Sequence, residues 1–202
     1  MRSLFEYCPN LTKFNLFINT LPKELQLGEG AVLLTYYPSL TKLSVEGDGI
    51  AGAALHDIFT YCTNLREVEL RNFATVSDAL VTVLFRNCAG LDTLNLSGCS
   101  KLTIAGLLEV ATHCTNLDRL CFSDMPVNDE VLIQLSLYCT ILSSVHLFHC
   151  NGGLITEAGV RAVAERCTGL TFLSMHGMTC TSTLDLTKLR QLYPRVNFKI
   201  GR

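Results

Sequence analysis

Charge is scarce in this chain. Only 17% of its 202 residues are Asp, Glu, Lys or Arg, whereas 49% are hydrophobic. Intrinsic disorder needs the opposite balance and is excluded. A basic excess is missing as well. Sixteen Lys+Arg face eighteen Asp+Glu, for a net charge of −2, so no nucleic-acid partner is expected. No apolar run approaches the roughly 18 residues of a membrane-spanning helix, and no membrane partner is expected. The opening Met1 to Cys8 lacks an apolar stretch of signal-peptide length, so no secretory leader is expected. None of the ten cysteines forms a C-x-x-C pair, which removes zinc-finger spacing. Phosphate-loop and dinucleotide signatures are also lacking. Gly47-Asp48-Gly49-Ile50-Ala51-Gly52 superficially fits G-x-G-x-x-G, yet it is the turn of one repeat, without the switch-point topology such a site needs.

What is abundant is a period. The pattern C-x-x-L-x-x-L-x-L recurs from Cys8, Cys62, Cys88, Cys114, Cys139 and Cys167, with Tyr37 and Tyr193 in the same place before a proline. Successive anchors are 25–29 residues apart. Apolar triplets follow them, such as Leu65, Val68, Leu70 and Leu91, Leu94, Leu96. The second half of each unit reads as a helix. Leu107, Leu108, Val110 and Ala111 share one broad face. Ser77, Thr103, Asn128 and Thr156 stand eleven positions before an anchor, where a helix N-cap belongs. Asp78, Asp129, Glu130 and Glu157 follow in the first turn, at the positive end of the helix dipole. Ser182 and Asp185 have capping-box spacing ahead of the last helix.

Each unit is therefore one strand, a turn and one helix. A single unit cannot bury its apolar face, so neighbours must stack. The expected fold is α/β: a right-handed β–α superhelix forming an open arc, with a parallel concave sheet and outer helices. It comprises about seven repeats, starting near residues 8, 37, 62, 88, 114, 139 and 167. Val196, Phe198 and Ile200 alternate as a terminal capping strand within 182–202, and the whole of 1–202 reads as one domain. Met1 to Tyr7 resembles the end of a repeat helix that enters the first strand directly. The N-terminal cap is thus expected to be missing, with a second protein or further repeats covering that edge.

These residues carry a resemblance. Cys88, Leu91, Leu94, Leu96, Cys99, Leu102 and Thr103 follow the cysteine-containing leucine-rich repeat of F-box ubiquitin-ligase substrate receptors and of the mitotic-exit antagonist family. Cys139 to Thr156 follows it with two inserted residues near Asn151-Gly152-Gly153. The resemblance implies a leucine-rich-repeat solenoid and a protein-binding, non-catalytic role. It does not specify the partner, and the family's F-box motif has no counterpart among these residues.

The cysteines read as small buried hydrophobes in a reducing compartment, cytosol or nucleus. Adjacent anchors are expected to stand a helix width apart, beyond disulfide reach. Cys99 and Cys150 sit at the turn after a strand, where a short side chain can satisfy the neighbouring coil. Cys121 points into the groove, one repeat before His146. That pair begins a nucleophile–base arrangement, but no oxyanion hole or orienting third group accompanies it, so no catalytic residue is assigned. His146 and His176 are only diagonal neighbours without a nearby carboxylate, and neither a metal nor a cofactor nor a small-molecule substrate is expected.

Alternation along the strands sends the remaining residues to the concave face. Its first half carries mixed charge in Lys13, Lys42, Glu46, Glu67, Glu69 and Arg71. Its last third carries Arg119, His146, Phe148, Phe172 and His176. Exposed aromatics beside an Arg are the material of an interface hot spot. These five are the candidate partner-binding residues. The expected function is a protein-interaction module, with substrate recognition for a ubiquitin ligase as its suggested role. The alternative is a structural subunit of a large assembly held at the N-terminal edge.

Overall fold

The computed structural model describes residues 11–17, 39–47, 50, 52–150, 155–178 and 184–201. The expected helix end at 1–7, the anchors Cys8 and Tyr37, the glycines at 151–153, Cys180 and Ser182 lie outside those residues.

Eight strands form one parallel sheet in strict chain order: β1 (Lys13–Phe17), β2 (Lys42–Glu46), β3 (Glu67–Arg71), β4 (Thr93–Asn95), β5 (Arg119–Cys121), β6 (Ser144–Phe148), β7 (Phe172–His176) and β8 (Asn197–Gly201). β1 and β8 stand at opposite ends, so the sheet is open. Six helices are described: α1 (Gly52–Tyr61), α2 (Asp78–Asn87), α3 (Ile104–His113), α4 (Asp129–Tyr138), α5 (Glu157–Arg166) and α6 (Leu186–Leu192). Consecutive parallel strands require a crossover, and each helix supplies one on the same face of the sheet. The result is an open leucine-rich-repeat solenoid.

The apolar triplets meet the helices as their spacing predicts. Val68, Leu94, Leu120, Val145 and Leu173 occupy one register row and are buried in a continuous core. Each helix adds its own apolar face, for example Leu80, Val81, Leu84 and Phe85 from α2. The expected terminal strand has a defined register: Phe198 pairs opposite Leu173 and Ile200 opposite Met175.

Thr103, Asn128 and Thr156 are N-caps whose side chains accept a backbone N–H from Ala105, Val131 and Ala158 respectively. Ser77 stands at the N-cap of α2 without such a bond. The capping-box expectation is corrected at α6. Asp185 is itself the N-cap, and its carboxylate accepts the Lys188 N–H at 3.0 Å.

The acidic first-turn residues also do something the dipole argument misses. Asp129 reaches into the next repeat, accepting the Thr156 backbone N–H at 2.8 Å and its hydroxyl at 2.6 Å. Asp78 holds Thr103 in the same way, at 2.9 and 2.6 Å. One carboxylate thereby fixes the N-cap of the following helix. Gly159 and Gly106 lie beneath these carboxylates, and a Cβ on either would overlap Asp129 or Asp78.

A second column runs along the turns that leave the strands. Gly47, Asn72, Gly98, Asp124, His149 and Gly177 all have φ between 53° and 81°. That left-handed turn lets the backbone N–H of Asn72, Gly98, Asp124 and His149 donate to the next coil while the chain leaves the sheet. Its cost to Asp124 and His149 is the ordinary penalty of a non-glycine residue in this region.

Candidate functional site

The concave face is built by register. Arg119 lines up with Ser144 and Phe172, Cys121 with His146 and Ser174, and Phe148 with His176. Parallel strands hold such neighbours at about 4.8 Å, so aromatic side chains on β6 and β7 must meet. The His146 and Phe172 rings are 5.0 Å apart, His146 and Phe148 5.9 Å, and Phe148 and His176 5.6 Å in a stacked arrangement. These are ordinary separations for attractive ring pairs. The rings join into one chain, Phe172–His146–Phe148–His176, each half-buried.

Burial lowers the pKa of His146 by disfavouring its charged form. Its Nε2 lies 3.1 Å from the Ser144 hydroxyl. Arg119 stands apart from the rings. It is 61% exposed, and its Nε lies 3.8 Å from Asp118. Four of the five expected residues therefore form one contact group, with the fifth on the adjacent strand.

Two expected groove residues are buried instead. Ser174 is 2% exposed and Ser44 is 7% exposed. Ser174 lies in register between His146 and Lys199, whose longer side chains rise on either side. Ser44 donates to the Glu69 carboxylate at 3.3 Å. The strand alternation is intact at both, and height rather than direction removes them from solvent.

The first half of the face neutralises itself. Lys42 Nζ lies 2.8 Å from Glu67 and 3.6 Å from Glu69, and Arg71 lies 2.9 Å from Glu69. The hydrogen bond to Glu67 raises the Lys42 pKa, and the same bond lowers that of Glu67. One groove residue was missed in the sequence. Lys199 on β8 is exposed and lies in the row of His146 and Ser174. Alternation with buried Phe198 was the signal that could have placed it there.

Cys121 is opposite His146, but its thiol lies 3.2 Å from the Ser97 hydroxyl and 3.6 Å from that of Ser123. The imidazole turns to Ser144, so the chemistry of a thiolate–imidazolium pair is not assembled. No group of three metal-ligating side chains occurs among the described residues.

The described cysteines are unoxidised, and all but Cys121 are buried. The helix-width argument is corrected, because neighbouring anchors touch. The thiols of Cys88, Cys139 and Cys167 donate to the carbonyls of Cys62, Cys114 and Cys139 at 3.3–3.5 Å. Each thiol thus points at a backbone oxygen rather than at a second sulfur. Cys99 and Cys150 reach the Leu70 and Phe122 carbonyls of the preceding coil. Desolvation pushes the thiols of Cys62 and Cys167 up to about 11 and those of Cys88 and Cys139 up to about 12.

The fold and this face define an open repeat solenoid with an aromatic, solvent-facing groove. Sequence comparison agrees with that class at a distance. The chain is 26% identical over 169 residues to F-box/LRR-repeat protein 4 of Bos taurus, covering 82% of this chain and 26% of that protein. It is 24% identical over 146 residues to the BTB/POZ domain-containing protein FBL11 of Arabidopsis thaliana, covering 53% and 15%. It is 30% identical over 143 residues to "Putative RNA-binding protein EEED8.10" of Caenorhabditis elegans, covering 69% and 19%. The chain thus spans about a quarter or less of the length of these relatives. No protein-family model matches it. No helix among the described residues is long and apolar enough to cross a membrane.

Proposed function

We propose that this chain is a non-catalytic protein-interaction module. It engages a partner protein through the concave face at Arg119, His146, Phe148, Phe172 and His176. The observation that carries this reading is the chain of four half-buried rings on β6 and β7, uncovered by any other described element. Ordered aromatics cost little further entropy when a partner docks. Residues 1–202 act as one repeat domain of the cysteine-containing type. The likeness to the F-box/LRR-repeat protein favours substrate recognition for a ubiquitin ligase as its role. The unoxidised buried cysteines favour the cytosol or nucleus.

The test is affinity purification with quantitative mass spectrometry. Wild type is compared with Phe148→Ala plus Phe172→Ala and with Lys13→Ala plus Lys42→Ala, and folding stability is measured on each. A central aromatic typically contributes about 2 kcal/mol or more to binding, a rim charge about 1 or less. Partners should be lost selectively with the aromatic pair. Loss with the lysine pair alone would move the interface to the N-terminal edge, as a subunit of a larger assembly would require.

A further inference from the structure

The concave face divides by charge as well as by ring content. Every carboxylate on its strands lies in the first three: Glu46, Glu67 and Glu69. From β4 to β8 the strands carry no Asp or Glu at all. They carry two cations instead, and these bracket the rings. Arg119 is on β5, beside β6; Lys199 is on β8, beside β7. Lys199 is exposed, with no ion pair among the described residues. The Arg119 contact with Asp118 is a long one through Nε. The four cations and carboxylates at Lys42, Glu67, Glu69 and Arg71 already satisfy one another, so the free positive charge of the groove is at its aromatic end.

We propose that the β5–β8 end of the concave face binds an acidic protein segment, with an apolar side chain seated on the rings and carboxylates at Arg119 and Lys199. The inference rests on the reading of this face as the partner surface and adds the chemistry of what it takes. Three strand gaps separate β5 from β8, about 14 Å. An extended chain advances about 3.3–3.6 Å per residue. The two carboxylates therefore stand about four residues apart, with the apolar anchor between them. A polyanion such as RNA can also stack on aromatics over a basic surface. It needs a track of cations, however, and this groove has two, with Glu67 and Glu69 further along the same face. A short acidic segment fits that distribution and a nucleic acid does not.

The experiment selects random dodecapeptides displayed on phage against the full chain, then measures the selected peptides and oligouridine by fluorescence anisotropy. The expected pool is enriched in Asp or Glu about four residues apart around Leu, Ile or Phe. Arg119→Gln plus Lys199→Gln should weaken those peptides roughly tenfold, the combined effect of two exposed charges. Raising the salt should weaken wild type more than this variant. Phe148→Ala plus Phe172→Ala should abolish binding; if thermal unfolding shows that pair destabilised, Phe148→Leu plus Phe172→Leu replaces it. A neutral or basic pool still lost with the aromatic pair would overturn the acidic ligand and leave the concave site standing. Oligouridine binding tighter than the peptides would overturn it in favour of RNA. A pool indifferent to both variant pairs, or no selected peptide, would overturn both readings.

Discussion

Removing the Asp129 carboxylate separates two accounts of the acidic first turn. If Asp129 only met the dipole of its own helix, Asp129→Ala would cost about 0.3–1 kcal/mol. The structure assigns it two hydrogen bonds across the repeat boundary, to the N–H and hydroxyl of Thr156. Bonds to a charged group contribute about 1.5–3 kcal/mol each. Both partners are only half-buried, so water recovers part of that, leaving an expected loss of about 2–3 kcal/mol. The assay is urea unfolding at neutral pH, in a double-mutant cycle with Thr156→Ala. Asp129→Ala should cost much less once Thr156 is Ala, because one of the two bonds is already gone. Gly159→Ala supplies an independent check of sign. In a helix interior that change normally gains about 1 kcal/mol. Here the new Cβ overlaps the Asp129 carboxylate, so it should destabilise wild type and stabilise the Asp129→Ala variant. An Asp129→Ala loss below about 1 kcal/mol that is additive with Thr156→Ala would refute the clamp.

Leu94, 1% exposed in the central row, should cost about 2–5 kcal/mol on truncation to Ala; a loss under about 1 kcal/mol would place it outside the core. Cys62, Cys88, Cys139 and Cys167 should resist iodoacetamide at pH 8, because their thiols are buried and pushed up to about 11–12; peptide mapping should find Cys121, half-exposed, modified first. Burial depresses the His146 pKa below its ordinary value, so the unfolded chain binds its proton more readily. Its contribution to stability is therefore full above the unfolded value of about 6.5 and declines as pH falls through it. His146→Gln should flatten the loss of stability between neutral and mildly acidic pH, as read by denaturant midpoints; an unchanged pH profile would refute it.

Much of this molecule was legible in one dimension. The recurring anchor and triplet set strand, turn and helix, because a fixed apolar spacing dictates which face of each coil must be covered. Period-two alternation likewise put His146, Phe148, Phe172 and His176 on the groove before any coordinates were consulted. The sequence could not supply what depends on neighbouring coils. Ser44 and Ser174 alternate correctly yet are buried, because side-chain height beside them decides exposure. Lys199 joined the groove only when β8 acquired its register against β7. The role of Asp129 was local in sequence terms and proved to lie 27 residues away, since stacking brings the first turn of one helix over the cap of the next. Periodicity determined the coil; contacts between successive coils decided which polar groups hold it together and which remain free for a partner.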